Sequence, residues 1–318
     1  MRAPRRLRAS TAVLAAALVG LLLAPRPLDA WGEYGHRLIA GAAVDALPPQ
    51  MPAFFRDARA RLVALNPEPD RFRDRAERER DPALSGVSTP DHYIDLELIP
   101  AARRAGVLAA PDRYAFADSL RVVGASVAQV GVVPFTMLEL AQRLRLSFRR
   151  WRAATDPDAR HLLEQRILDD AGLLGHFAAD AANPAHTTVH HNGWVGENPR
   201  GYATDRRFHA RFESRFVQAR VTPAMVAEAM RRPALRRPRA HADLRATVVA
   251  HVLASHALVD SLYALDRRLA FDSANASAPH ARFAADRLAA GAAVLRDLWW
   301  SAWIGSASEP SAMAPADR

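Results

Sequence analysis

The sequence contains no cysteine among its 318 residues. Without thiols the chain cannot build a disulfide framework or a thiolate metal site, so any metal ion must be held by histidine, carboxylate or backbone ligands. β-branched residues are sparse, and only residues 92–98 alternate in the manner of a strand. A composition of 50% hydrophobic and 24% charged residues excludes a disordered or low-complexity chain.

Lysine is absent as well, so the 43 basic residues are all arginines. Together with 34 acidic residues they give a formal net charge of +9. Arginine makes forked contacts to phosphate, so a phosphate-containing partner is one interpretation of this charge. A genome rich in G and C, whose codons favour arginine, is the simpler explanation of the same count.

The first thirty residues have the composition of an export signal. Four arginines lie within the first eight residues, and an apolar run follows over residues 11–24. That run is too short to cross a bilayer comfortably, and Ala30 is a small residue of the kind that signal peptidase accepts. We therefore expect a signal peptide over residues 1–30, a mature chain that begins at Trp31, and a secreted or periplasmic protein. An uncleaved anchor is the alternative, and no later run is expected to span a membrane.

Apolar residues recur at helical spacing through most of the remaining chain. This pattern predicts helices over residues 36–47, 51–64, 112–151 (with an interruption near Pro134), 158–182, 208–219, 223–230, 242–269 and 281–303. Residues 66–89 and 190–204 are rich in proline, glycine and polar residues and are predicted as loops. We expect one all-α domain over residues 31–305, a multi-helix bundle, followed by a disordered tail over residues 306–318.

Histidines and acids are paired on two of the predicted helices. His176 and Asp180 lie four residues apart, as do His209 and Glu213, so each pair shares one helix face. His186 follows the first pair after a proline stop. One such pair alone is more often an exposed helix pair than a metal clamp. Two pairs and a third histidine so close together predict a metal site built from nitrogen and oxygen ligands.

The expected cleavage point adds a further candidate ligand. It would expose the α-amine of Trp31, whose pKa of about 8 allows it to lose a proton and bind a metal together with its own carbonyl. His36 could complete that site. The alternative is that Trp31 simply packs near the chain start and His36 lies at a helix N-terminus.

These motifs together resemble one superfamily, the zinc-dependent phospholipases C and single-strand-specific (P-one-type) nucleases. The resemblance runs from Trp31 to about Trp303. It is carried by Trp31-x4-His36, His92 within His-Tyr-Ile-Asp, His176-x3-Asp180-x5-His186, His209-x3-Glu213, and the stretch from Arg287 to Trp299, which is similar to the last helix of the family. The resemblance implies an all-α secreted enzyme that holds three zinc ions in a cleft.

The resemblance also implies which residues hold each zinc. The three implied ligand sets are Asp70, His92, His176 and Asp180; His186, His209 and Glu213; and the Trp31 amine and carbonyl with His36 and Asp180, which bridges two ions. The loop aspartate of the first set is implied to orient or deprotonate the attacking water. Asp70 fits that position, but Asp74 and Asp81 are alternatives because Asp70 lies farther from His92 than the family pattern suggests.

The substrate class is left open between two branches of the superfamily. The short spacing from Trp31 to His36 resembles the nucleases, whereas His209-x3-Glu213 resembles the phospholipases C. Tyr93 and Asp95 would let a base stack and hydrogen-bond; alternatively, Tyr93 packs in the core and Asp95 supports a ligand.

We expect a zinc-dependent phosphodiesterase with a slight preference for phospholipid. A single-strand-specific endonuclease with 3'-nucleotidase activity is the alternative, and a non-catalytic zinc-binding protein is a further one. The sequence indicates no protein partner.

Overall fold

The computed structural model describes residues 31–307, and this part of the chain is helical with no strand, which confirms the predicted all-α multi-helix bundle. The expected signal peptide lies outside the described residues. Five long helices are α1 (Gly32–Asp45), α2 (Val133–Ala153), α3 (Pro157–Ala182), α4 (Leu244–His256) and α5 (Ala278–Gly305). The shorter helices are Ala53–Asp57, Arg59–Leu65, Glu68–Arg71, Arg75–Arg80, Pro82–Gly86, Ala101–Leu108, Arg113–Val122, Val127–Val130, Phe208–Ala210, Val217–Arg220, Pro223–Met230 and Val259–Arg268.

The core lies where α3 packs against α2, α5 and α1. α3 begins cleanly because the Asp156 carboxylate accepts a hydrogen bond from the Ala159 N–H and Pro157 occupies the first turn. It ends at Asn183, before Pro184. The C-terminal half of α3 is buried, which carries its polar residues into the interior. Those residues therefore need partners inside the protein.

Two glycines of α3 let a neighbouring segment approach closely. A Cβ at Gly172 would lie 2.4 Å from the Cβ of Leu65, and one at Gly175 would lie 2.2 Å from Nδ2 of Asn66. As a result, the end of helix Arg59–Leu65 packs directly against α3, and so do the residues that follow it. This contact places Asn66 and Asp70 beside the buried polar face of the long helix.

Gly172→Ala is expected to lower the free energy of unfolding by about 1–3 kcal/mol, because the added methyl group overlaps Leu65 in a packed interface. Gly106→Ala is the matched control. Gly106 is an exposed helical residue with no atom within 4 Å of a built Cβ, so alanine there should be neutral or stabilising by up to about 1 kcal/mol. Chemical denaturation of both variants checks the prediction, and equal stabilities would contradict it.

Two segments differ from the sequence-based expectations. Residues 66–89 were expected as a loop but contain three short helices, Glu68–Arg71, Arg75–Arg80 and Pro82–Gly86. Asp74 and Asp81 cap two of them through their carboxylates, and Pro82 occupies a first turn. Prolines and aspartates of this kind begin helices as readily as they break them. Residues 92–98 are not a strand; they lie across the short 3₁₀ turns Thr89–His92 and Leu96–Leu98.

Two further expectations, an interruption at Pro134 and a tail that begins at residue 306, also differ from the structure. Pro134 lies in the first turn of α2 and does not interrupt a helix. The tail was expected to begin at residue 306, but Ser306 is buried and accepts a hydrogen bond from Nε of Arg152, so it belongs to the fold. Residues 308–318 lie outside the described part of the chain.

The stretch Leu244–Arg268 is long and apolar enough to cross a membrane by length and composition, so the expectation that no later run qualifies was wrong on that criterion. In the fold the stretch is divided into α4 and the helix Val259–Arg268. α4 packs against α2, α3 and α5. A core helix passes the same test, so the criterion alone is weak evidence for a span.

Candidate metal centre

The Asp180 carboxylate lies at the centre of a buried polar cluster. Its Oδ2 atom is 3.0 Å from Nδ1 of His92 and 3.2 Å from Nε2 of His176, which lies one turn earlier on α3. Its Oδ1 atom is 3.5 Å from Nε2 of His36. The two oxygens of one carboxylate therefore face two different groups of imidazoles, which is the arrangement of a ligand shared by two cations.

Eight of the nine sequence-predicted ligands fall into three groups that can hold metal ions. Within each group the candidate ligand atoms lie within 4.8 Å of one another. The groups are Asp70, His92 and His176; His36, His176 and Asp180; and His186, His209 and Glu213. All of these side chains are buried except that of His209, which is partly exposed.

Hydrogen bonds fix the orientation of the imidazoles. Nδ1 of His176 lies 2.9 Å from the main-chain oxygen of Asn66, and Nδ1 of His36 lies 3.0 Å from the side-chain Oδ1 of the same residue. Nδ1 of His186 lies 2.7 Å from the carbonyl oxygen of His92. Because these oxygens only accept, Nδ1 donates in each case, and Nε2 is left as the atom that can bind a metal once it carries no proton. This is the usual arrangement by which a protein orients histidine ligands.

Several buried atoms of the cluster have no hydrogen-bond partner in the described part of the chain. They include Nε2 of His36, Oδ1 of Asp180 and Nε2 of His186. A buried polar atom without a partner lowers the stability of the fold by about 1–3 kcal/mol. Several such atoms in one place therefore require an explanation. A bound cation supplies one, and imidazole nitrogens with carboxylate oxygens form a ligand set that suits zinc. The residues present therefore fit a metal site.

The pKa shifts of His36, His92 and Glu213 favour metal binding, because a ligand must be deprotonated. Burial lowers the pKa of His36 to about 3 and lowers that of His92. Burial opposes ionisation of Glu213, but His209 and His186 outweigh it and lower its pKa to about 2. His186 is the exception: burial is outweighed by Asp180 and Glu213, which raise its pKa to about 9. Metal binding at this group would displace that proton.

Asp70 joins the cluster, whereas its two alternatives do not. Oδ1 of Asp70 is 3.8 Å from both Nδ1 of His92 and Nε2 of His176, and it accepts a hydrogen bond from Arg73 at 3.3 Å. Asp74 and Asp81 are exposed helix caps and belong to none of the three groups.

Trp31 lies beside the cluster with its side chain buried. Its indole Nε1 donates to the carbonyl oxygen of Ala179 at 2.7 Å, one residue before Asp180. Its backbone has a φ of 49°, in the left-handed region that a tryptophan adopts rarely. These features hold the start of α1, and with it His36, against the end of α3.

A cavity of about 350 Å³ opens onto the cluster. His92, His186 and His209 line it, together with Arg73, Thr89, Tyr93, Asp95, Ala185 and His191. The Tyr93 hydroxyl donates to the carbonyl oxygen of Ala128 at 2.8 Å, so its ring is fixed in the wall. Burial and the nearby Glu97 raise the pKa of Asp95 to about 7. Both predicted substrate-binding residues therefore line the same cavity as the metal ligands.

Sequence reasoning missed three residues of the site. Asn66 accepts hydrogen bonds from two histidines, and Nδ2 of Asn183 donates to Oε2 of Glu213 at 2.7 Å. Arg73 lines the cavity and bonds to Asp70. Asn183 directly follows the helix predicted over residues 158–182, and nothing in the sequence indicated a role for it in the site. Glu213 itself lies in a π-helical segment, Arg211–Phe216, a rare geometry that is frequent at functional sites.

Asn66→Ala is expected to weaken metal affinity by about 10- to 100-fold, because His36 loses the acceptor that orients it. Asn275→Ala is the matched control, since Asn275 is also buried and bonded to the backbone but lies outside the three groups. It should lower thermal stability and leave metal affinity unchanged. Competition titration with a chromogenic chelator measures the affinities, and an equal change in both variants would contradict an orienting role for Asn66.

Comparison with protein-family models gives no match for this chain, and searches of curated proteins and of solved structures also find none. Membership in the phospholipase C and nuclease superfamily therefore stays a prediction from the sequence motifs. The three groups of buried ligands are a property of the structure by itself.

Proposed function

We propose that the protein is a secreted or periplasmic zinc-dependent phosphodiesterase with three zinc ions. The observation that carries the proposal is the position of Asp180, whose two oxygens face separate groups of histidines in the interior. Such a carboxylate would hold two cations close to each other. Closely spaced divalent cations are typical of enzymes that hydrolyse phosphate esters.

The residues that would hold the ions follow the three groups. Asp70, His92, His176 and Asp180 would hold one zinc; His186, His209 and Glu213 a second; and Asp180, His36 and the Trp31 amine and carbonyl the third. When bound, zinc supplies Lewis acidity, which eases the deprotonation of water and stabilises negative charge on the phosphate oxygens.

The protein's own residues contribute orientation and charge. Arg73 lies in the cavity wall and can donate to a non-bridging phosphate oxygen. Its hydrogen bond to Asp70 holds both side chains at the first group. The Asp70 carboxylate would orient the attacking water and accept its proton.

A recombinant chain that begins Met-Trp31 is expected to bind two zinc ions and not three. In that chain the α-amine of Trp31 becomes part of a peptide bond and can no longer act as a ligand. Metal analysis of this protein, with one processed to begin at Trp31 as the control, checks the prediction. Three ions in both proteins would remove Trp31 from the ligand set.

For the substrate we propose a single strand of nucleic acid, which reverses the slight preference for phospholipid that Glu213 suggested. No leucine, isoleucine, valine, methionine or phenylalanine is among the described residues lining the cavity, so an acyl chain would meet no large aliphatic side chain there. The fixed ring of Tyr93 offers a surface on which a base can stack. Asp95, with a pKa of about 7, can both donate to and accept from a base edge near neutral pH.

Parallel assays test the activity. The zinc-loaded protein should cleave single-stranded DNA and leave phosphatidylcholine vesicles intact, with Asp180→Asn as the inactive control. Cleavage of phosphatidylcholine alone would instead identify a phospholipase C. A protein that holds zinc tightly yet leaves both substrates intact would be a metal-binding protein without catalysis.

A further inference from the structure

A second cavity adjoins His209. It has a volume of about 340 Å³ and is lined by Asn192, Arg206, Arg207, His209, Ala210 and Arg215. His209 also lines the cavity of the metal centre, so one ligand side chain forms a wall of both. We call this second space the arginine cavity.

The arginine cavity carries positive charge that the neighbouring acids do not neutralise. Arg206, Arg207 and Arg215 are exposed, and none of them forms an ion pair within residues 31–307. The nearby Asp205 faces a different arginine, Arg211, at 3.9 Å. No acidic residue is among the side chains that line the cavity in the described structure.

The backbone that presents these arginines is anchored. Phe208, between Arg207 and His209, is buried and stacks on the Tyr263 ring with the ring centroids 4.4 Å apart. The His209 N–H donates to Oδ1 of Asn192 at 3.3 Å, which ties the helix start to a loop residue that also lines the arginine cavity. Arg215 projects from the same π-helical segment as Glu213. The three guanidinium groups are thus attached to the segment that carries two metal ligands.

We propose that the arginine cavity is an anion subsite that binds a phosphate next to the scissile one in a nucleic-acid strand. The proposal rests on the proposed phosphodiesterase function and names its substrate more closely. Guanidinium groups form forked hydrogen bonds with phosphate oxygens. Contacts of this kind place a strand in register without reading its sequence. A substrate with one phosphate could not occupy both cavities, whereas a strand could.

The test compares two substrates in zinc-loaded protein. Arg207→Gln/Arg215→Gln is expected to raise KM for a single-stranded oligonucleotide by about tenfold or more while leaving kcat within about twofold, because removed phosphate contacts weaken binding. The fold-decrease in kcat/KM with the oligonucleotide should exceed the fold-decrease with bis(p-nitrophenyl) phosphate by at least about fivefold, because that diester has only one phosphate. The dependence of log KM on log salt should become shallower, by about 0.7 in slope, because one phosphate of the single strand is no longer neutralised.

Arg231→Gln/Arg236→Gln is the matched control. It removes the same charge from exposed arginines that line a different cavity, bounded by α1 and the helix Pro223–Met230. It should leave the kinetics with both substrates unchanged. An equal effect of the two double variants would reduce the proposal to a general effect of net charge. An equal fold-decrease in kcat/KM with both substrates in the Arg207/Arg215 variant would also overturn the proposal.

Oligonucleotide binding, measured by fluorescence anisotropy, separates this proposal from the proposed function. If the parent protein binds the strand through Arg207 and Arg215 but cleaves nothing, the subsite stands and the enzymatic function fails. If the parent protein cleaves a diester but the double variant binds the strand as tightly as the parent, the function stands and the subsite fails. Absence of both binding and cleavage overturns both.

Discussion

Replacement of Asp180 by asparagine is expected to reduce phosphodiesterase activity by about a thousandfold or more and to lower the metal content from three ions to one. Asp180 is the only residue whose two oxygens face two of the proposed sites within residues 31–307. An amide cannot supply the second anionic oxygen, so both of those sites lose a ligand and negative charge at once. The group of His186, His209 and Glu213 does not include Asp180 and should keep its ion.

Asp170→Asn is the matched control for this prediction. Asp170 lies on the same helix and is buried, but its carboxylate pairs with Arg166 and belongs to none of the three groups. The control should keep three ions and near-parental activity, even if its stability falls. Metal analysis and oligonucleotide cleavage are measured on both folded variants. Full activity with three ions in Asp180→Asn would remove the bridging carboxylate from the account.

Exhaustive chelation is expected to abolish activity and to lower the melting temperature on the order of 10 °C, since ions that bind only the folded protein stabilise it. Their removal would leave the Asp180 and Glu213 carboxylates buried among imidazoles with no metal cation beside them. Ions bound with several kcal/mol of net affinity account for a shift of that size.

Zinc added back after chelation should restore both the melting temperature and the activity. Calcium or magnesium should not, because hard cations favour sites composed of oxygen ligands and these groups are rich in imidazole. Differential scanning calorimetry before chelation, after it and after zinc addition checks the prediction. Unchanged melting after chelation, with metal analysis showing that the ions are gone, would contradict a structural contribution from the metal.

The helical periodicity of the sequence was sufficient to predict the fold class, because long amphipathic patterns such as that of residues 158–182 admit few alternatives. It failed over residues 66–89, where aspartate caps and a proline in the first turn begin short helices that carry no apolar period. Local signals of this kind are shared by loops and by helix starts. Only the packing of the segment against the rest of the chain decides between them.

The candidate site also contains residues that the sequence could predict and residues that it could not. His176 and Asp180 were predictable because both lie on one helix, where spacing fixes the face. Asn66 was not, since its contact with His176 joins residues 110 positions apart and depends on the close approach allowed by Gly175. That same approach separates Asp70, the residue predicted for this position, from Asp74 and Asp81, which the sequence kept open as alternatives. Long-range packing therefore decides what local spacing leaves open.

Anomalous diffraction at the zinc absorption edge, from crystals of the zinc-loaded protein, tests the central claim most directly. The account predicts three peaks: one between Asp70, His92 and His176, one between His36 and Asp180, and one between His186, His209 and Glu213. Asp180 should contact the first two. A zinc-loaded crystal with no peak at these groups, or with its peaks elsewhere in the molecule, would contradict the account.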